Sequence, residues 1–409
     1  MCPKNWSNCS GPGGKCARSA RTATCCAGTL DAVDDVAIIG AGPVGLALAI
    51  LLAQNGRSVR VFEQRSVPAA HSRAFGLHPP AQQVLDQLGV GETAQRHGVQ
   101  IRGGLGISRG RSIAAMDFAK IGGPYPYVLS LPQQSTEHLL RERLERLAPG
   151  SLMPGRAFEK VLGQSEQSVE FAAGGAACRA RWLAGADGVR SAVRTDLRVD
   201  FAGSAHRDRY LMGDFPDTTG LAHTAALFLH RQGIVESFPL PGAWRRWVVR
   251  VEQKLDNDSP GILTEMIMDR TGYLLDPGAC TMTSYFGTAT RMVSSMVHGR
   301  VVLLGDAAHQ ISPIGGQGLS LGLADAQAIA DLIAAGAPAG SLDDLRLAAA
   351  RSAARRAQVN MLLGRALPSW SVPLRDTAIS ALAASGWLKQ KVARSFTMTS
   401  PGQRTIPVA

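Results

Sequence analysis

This chain of 409 residues is short of lysine, of aromatic side chains and, past its opening stretch, of cysteine. Only seven of the 43 basic residues are lysine, so the formal charge of +11 is almost wholly arginine. The arginines are scattered and accompany no helix-turn-helix or base-stacking pattern, which argues against nucleic acid as a partner. A solvated arginine-rich surface accounts for them, and its field also draws in anionic dinucleotides. Five of the seven cysteines (Cys2, Cys9, Cys16, Cys25 and Cys26) precede Ala27, leaving Cys178 and Cys280. That pattern is neither a disulfide framework nor a zinc spacing. No Ser–His–Asp arrangement, paired carboxylates or metal-ligand cluster appears, so the metal expectation is none. No window reaches the roughly 18–20 uninterrupted apolar residues that span a bilayer. The opening residues, rich in Gly, Ser and Thr, hold no apolar run for a signal peptide. The expectation is a cytoplasmic protein with a disordered tail over residues 1–33.

What is present is enough apolar material for a large core: 45% of residues are hydrophobic and 18% charged. The length implies two or three domains at roughly 100–200 residues each. The run VAIIGAGPVGLALAILLAQNGRSVRVFEQR, Val36 to Arg65, reads as strand, glycine turn, helix and strand. Gly40 permits the tight turn, Gly42 lets backbone approach a pyrophosphate, and Gly45 lets the helix close on the strand. The helix then begins with its N–H groups facing the phosphates. Asn55-Gly56 is a helix stop. Glu63 ends the second strand 23 residues after Gly40, where a carboxylate accepts from a ribose 2′-hydroxyl. A 2′-phosphate would meet Glu63 as a like charge. The unit predicts a Rossmann-like nucleotide site without separating FAD from NAD.

Four further segments, in order, make the choice. They are HSRAFGLHPPAQQVLDQLGV, LSLPQQSTEHLLRERLERL, LAGADGVRSAVR and GDAAHQISPIGGQGLSLGLADA. Over roughly residues 35 to 365 the chain resembles the single-component, FAD-dependent aromatic hydroxylases built like p-hydroxybenzoate hydroxylase. The resemblance implies that Arg73 lies along the flavin and its phosphates. Arg65 joins Glu63 among the cofactor-binding residues, and Gln133 meets the ribityl or pyrophosphate portion. Asp187-Gly188, with Ser191 and Arg194, serves the pyrophosphate and the reductant. Asp306 accepts from ribityl hydroxyls. Backbone at Pro313, Gly316, Gly318 and Leu319 lies against the isoalloxazine, with Gly315 keeping side chains away. The helix starting near Gly316 turns its positive end to the flavin pyrimidine edge. Ser320 stands where the family often has Asn. His309 reads as a structural part of its turn. Ser135 or Thr136 is the expected cap of the helix carrying Leu139, Leu140, Leu144 and Leu147.

AALFLH, GIVESFPL and RRWVVRVE are β-rich runs that predict an antiparallel meander. They resemble the sheet that roofs the family's active site, with Phe228, Phe238, Trp247 and Tyr285 as candidate liners, although core packing is the default reading for each. The expected fold is α/β. A discontinuous Rossmann-like FAD-binding domain (34–72, 127–199 and 287–345) joins an antiparallel β-sheet substrate domain (73–126 and 200–286). A C-terminal helical segment covers 346–409, where Trp387 and Phe396 sit on an apolar, basic pattern. That segment either packs on the FAD domain or makes a peripheral membrane contact. It does not read as a thioredoxin-like extension.

The implied function is a flavoprotein monooxygenase. NADPH or NADH acts as transient reductant, and O2 is activated as a flavin C4a-hydroperoxide. The substrate is a small apolar aromatic of the quinone, quinolone or aromatic polyketide type in secondary metabolism, hydroxylated or epoxidised by a monomer or homodimer. The alternatives are a flavin-dependent reductase, a halogenase or a non-catalytic flavin redox sensor. The halogenase Trp-x-Trp-x-Ile signature is missing, since Trp244 and Trp247 are wrongly spaced.

Overall fold

The computed structural model describes residues 33–68, 73–252, 258–335 and 340–400. Nearly all of the expected tail, residues 1–32, lies outside them. The fold is α/β, with an eight-stranded mixed sheet, a second eight-stranded sheet and helices at the C-terminal end.

The first sheet has a parallel centre in the order Val301–Leu303, Ala176–Gly185, Asp34–Ile39, Val59–Glu63 and Leu152–Pro154. Val36 to Ile39 are at most 4% exposed, because helices or loops cover both faces of this strand. Burial on two faces is why it reads as a continuous apolar run rather than an alternation. The helix Pro43–Gln54 is buried nearly all round, from Gly45 through Leu52. It sits against the sheet and the helices Gln133–Leu147 and Gln317–Ala335, so it has no polar stripe. Gln317–Ala335 is long and apolar enough to cross a membrane, but most of it is buried as a core helix.

The second sheet runs His309–Gln310, Met282–Met292, Ala202–Pro216, Trp244–Val251, Val235–Leu240, Ala225–Phe228, Gly103–Ser108, Arg111–Asp117. The three β-rich runs pair antiparallel as the sequence predicts. Beyond them, Ala225–Phe228 takes Gly103–Ser108 as a parallel neighbour. Side chains alternate between faces along each strand. One face buries Leu211, Phe215, Phe228, Val235, Trp247 and Val249 against Leu263 and Ile267 of the helix Pro260–Thr271. The other presents Tyr210, Met212, Leu227, Val248 and Phe286 toward Ile314 and Met361.

At the C-terminal end, Gly340–Leu363, Val372–Ala384 and Gly386–Phe396 are helical. Phe396 turns inward, stacked on Phe118 at 5.7 Å and edge-on to His78 at 5.8 Å. Trp387 stays exposed beside the Lys391 ammonium.

Candidate functional site

A cleft of about 570 Å3 opens at the C-terminal ends of the parallel strands and runs toward the second sheet. This is where open α/β sheets place ligands, because helix N-termini and loops converge there. Gly40, at φ +103°, makes the first turn, and a Cβ there would stand 2.5 Å from the Ala186 carbonyl oxygen. A Cβ on Gly45 would collide with the Gly40 carbonyl oxygen, so this glycine serves the strand–helix contact and does not line the cleft. Gly42 lines the cleft, and a Cβ there would meet nothing within 4 Å.

Glu63, at the end of the next strand, faces this turn. Its Oε2 accepts the Ala41 N–H at 2.9 Å, and its Oε1 accepts both the backbone N–H and the Nε–H of Arg65 at 3.0 Å. Burial works against the charge, but the Arg65 bonds and the Ala41 N–H outweigh it and hold the carboxyl below its usual range. Arg141, from the helix Gln133–Leu147, donates to the Ala41 carbonyl at 3.0 Å, and its Nε is buried without a partner.

The cleft continues past Gln133, Asp187, Asp306, Pro313, Gly316, Gly318 and Leu319, with Arg65 and Arg73 on its rim. Asp187 accepts the N–H groups of Ala192 and Val193 through Oδ2, while Oδ1 is left without a partner. Ser191 caps the same short helix, and Arg194 bonds the Ala307 and Val189 carbonyls, tying this turn to the Asp306 segment. Asp306 opens into the cleft yet is ringed by protein, and burial raises its pKa against the pull of His309. Gln133 Nε2 donates to Glu137 at 2.7 Å. Its helix begins after Pro132, so the expectation of a Ser135 or Thr136 cap is wrong. Both residues lie inside the first turn, and Thr136 bonds back to the Pro132 carbonyl.

Beneath the glycine turn the polar groups form a brace. Gly315 and Gly316 both have positive φ. His78 Nε2 donates to the Gly315 carbonyl at 3.1 Å, and the His78 N–H donates to Ser320 Oγ at 3.1 Å. Burial lowers the His78 pKa to about 4, so the ring is neutral near pH 7. His309 is structural: its Nε2 lies 2.5 Å from Asp325, which also pairs with Arg346 at 2.7 Å, all three buried.

Arg73 stands at the second sheet, with Nε donating to Ser284 Oγ at 3.1 Å and its guanidinium over the Phe286 ring. Of the four candidate liners, three take the default reading of core packing and do not line the cleft. Phe228 and Trp247 stack at 5.9 Å inside the core beneath Pro260–Thr271, and Tyr285 packs against that same core. Strand parity turns them away from the cleft. Phe238 lies on the opposite parity and packs on Phe75 at 5.2 Å. Sequence reasoning missed His78, Arg141 and Phe286. A histidine before two prolines, an arginine on a polar helix face and a strand phenylalanine carry no local signal of such roles.

The model of the FAD binding domain matches residues 34–361. The chain is 31% identical over 312 residues to 6-methylpretetramide 4-monooxygenase of Streptomyces rimosus, covering 72% of this chain and 54% of that protein. It thus spans about half the length of that relative. It is 30% identical to para-nitrophenol 4-monooxygenase of a Pseudomonas species, covering 77% of this chain and 82% of that one. The crystal structure of p-nitrophenol 4-monooxygenase from Pseudomonas putida superposes with a TM-score of 0.80 at 24% identity, over 90% of this chain and 99% of the other.

Proposed function

This chain belongs to the FAD-binding-domain family of FAD-dependent aromatic hydroxylases, and from that premise we propose that it is a monooxygenase that inserts one atom of O2 into an apolar aromatic substrate. NADPH or NADH is the proposed transient reductant. The observation that carries the reading is the single cleft joining Glu63 at one end to Asp306 and the Gly315–Gly316 turn at the other, with the apolar face of the second sheet beyond.

The residues present suit an extended dinucleotide. The open space over Gly42 accepts a pyrophosphate close to backbone, and the bare Asp187 Oδ1 supplies an unused polar atom in the same cleft. In this reading Glu63 holds the adenosine ribose, and Arg65 holds Glu63 in place. Gln133 and Asp306 take the ribityl chain, and Arg73 reaches the flavin from the sheet side. Backbone at Pro313, Gly316, Gly318 and Leu319 lies along the ring. Bound FAD supplies the redox chemistry, passing electrons from the nicotinamide to dioxygen. The protein orients the substrate and keeps water out. Phe286 lines the cleft from the second sheet, and the packed cluster of Met212, Leu227, Val248 and Ile314 with it gives that side an apolar backing that helps to exclude water. The printed names of the relatives, 6-methylpretetramide and para-nitrophenol among them, support an aromatic substrate. We take a polycyclic, polyketide-like aromatic as the class.

The test is direct. Purified protein should be yellow, with FAD close to one per chain. Aromatic substrate should stimulate NAD(P)H oxidation in step with oxygen uptake and yield an oxygenated product. Reductant consumption without oxygen uptake would point to the reductase alternative and overturn this reading.

A further inference from the structure

The C-terminal helices carry an apolar surface that neither the cleft nor the core uses. Fourteen large hydrophobic side chains are exposed among the described residues, and eight of them fall between Val359 and Val392. Such side chains exposed singly are ordinary, but so many in one short segment mark a contact surface. Trp370, Leu374, Ala378, Ala381 and Leu382 recur at helical spacing, and all are exposed. They form one stripe along the helix Val372–Ala384 and the turn Ser369–Ser371 that leads into it. Trp387, 69% exposed, opens the next helix.

The inner sides of both helices are committed, which fixes their orientation. Asp376 is buried against Ser108, Arg109 and Arg375, and Ser380 donates to the Ile113 carbonyl at 3.1 Å. Gln390 donates to the Lys120 carbonyl at 3.0 Å, and Gln317 Nε2 reaches the Ser395 and Phe396 carbonyls.

Charge decides what the outer side fits. From Gly364 to Phe396 the sole acidic residue is the buried Asp376, against five basic ones. Arg365 and Arg375 are paired with Asp208 and Asp376. Lys389, Lys391 and Arg394 pair with no carboxylate among the described residues. The Lys391 ammonium lies over the exposed Trp387 ring at 5.0 Å. The strand and turn beneath, Arg111–Asp117 and Ala119–Ile121, add exposed Arg111 and Lys120. They also bring one exposed carboxylate, Asp117, which accepts the Ala119 N–H. Exposed tryptophan and leucine flanked by lysine is the composition of a helix that lies in a membrane interface. A second copy meeting this face about a two-fold axis would set the lysines against their own kind.

We propose that the outer face of the helices Val372–Ala384 and Gly386–Phe396 docks on an anionic lipid surface. Trp370, Leu374, Leu382 and Trp387 enter the boundary between headgroups and acyl chains, and Lys389 and Lys391 meet the lipid phosphates. Each such lysine strengthens binding on the order of fivefold. Docking is independent of the monooxygenase reading, although an apolar aromatic substrate would concentrate in the same bilayer.

The experiment sediments the full chain, as purified, with vesicles of phosphatidylcholine alone or mixed with phosphatidylglycerol. Wild type should bind the mixed vesicles at least about tenfold more tightly than the neutral ones, and less so as salt rises. Brominated lipid in the mixed vesicles should quench part of its tryptophan fluorescence. Trp370→Ser with Trp387→Ser should weaken binding to the mixed vesicles at least about tenfold. Lys389→Gln with Lys391→Gln should remove most of the preference for anionic lipid. All four side chains are exposed, so both double variants should keep the melting temperature of wild type. Wild type that stays in solution or shows no quenching overturns the proposal, as does either double variant that behaves like wild type. A dimer in sedimentation velocity that the two tryptophan changes dissolve also overturns it, making a second copy the occupant.

Discussion

Replacing Glu236, which is buried in the strand Val235–Leu240 without a side-chain partner among the described residues, with leucine should stabilise this protein, increasingly so as pH rises. The carboxyl is held near 7 in the folded chain, against an ordinary value of 4.5. Below 4.5 it is protonated in both states and this linkage costs nothing. Between 4.5 and about 7 the unfolded chain releases the proton first, so stability falls as pH rises. Above about 7 the loss is complete. At about 1.36 kcal/mol per decade of pH, the gap amounts to about 3 kcal/mol. The measurement is urea unfolding of wild type and Glu236→Leu at pH 5, 6, 7 and 8, followed by tryptophan fluorescence. The difference between the two chains isolates this residue from every other titrating group. It should widen by about 2.5 kcal/mol across the series, mostly between pH 5 and 7. Curves that stay parallel would show that Glu236 is solvated or paired in the folded chain, and the burial argument would fail with it.

Other expectations follow from the same geometry. Gly45→Ala should lower stability by about 3 kcal/mol, because the added methyl meets the Gly40 carbonyl. Gly42→Ala should melt within about 0.5 kcal/mol of wild type, yet bind FAD at least about tenfold more weakly in equilibrium dialysis, since its methyl enters only the cleft. Asp325→Asn leaves His309 and Arg346 buried beside a neutral amide and should cost about 3–5 kcal/mol in thermal or urea unfolding. Glu63 is a carboxyl held low in the folded chain, so its stabilising contribution is present above its ordinary 4.5 and lost as pH falls below that. Glu63→Gln should flatten that part of the acid-unfolding profile and weaken FAD binding about tenfold.

Much of the nucleotide half was legible because its requirements are local. A tight turn, a close strand–helix contact and a strand-end carboxylate each demand a residue type within one strand–helix–strand unit. Gly40, Gly45 and Glu63 meet those demands by spacing alone. The GDAAHQISPIGGQG segment was legible for the same reason, since positive φ at Gly315 and Gly316 restricts the choice of residue. Glu236 left a readable trace as the one carboxylate in GIVESFPL, although its meaning depends on which face it takes.

The second half of the site depended on long-range pairing. Phe228, Trp247 and Tyr285 are plausible liners as residue types, but register across five strands puts them under the Pro260–Thr271 helix. A shift of one residue would have put them on the opposite face, toward Ile314 and Met361, and nothing local sets that register. His78 bracing Gly315, Arg141 reaching Ala41 and Arg73 resting on Ser284 join segments from 100 to 237 residues apart. The amino-acid order by itself therefore determined the nucleotide turn and the buried strands, because backbone sterics and side-chain period act over a few residues, whereas the choice of FAD came from the resemblance of five segments in order. Only the tertiary structure decided which face of the second sheet packs under the Pro260–Thr271 helix and which turns toward the glycine turn, because strand register is set by contacts far apart in the chain.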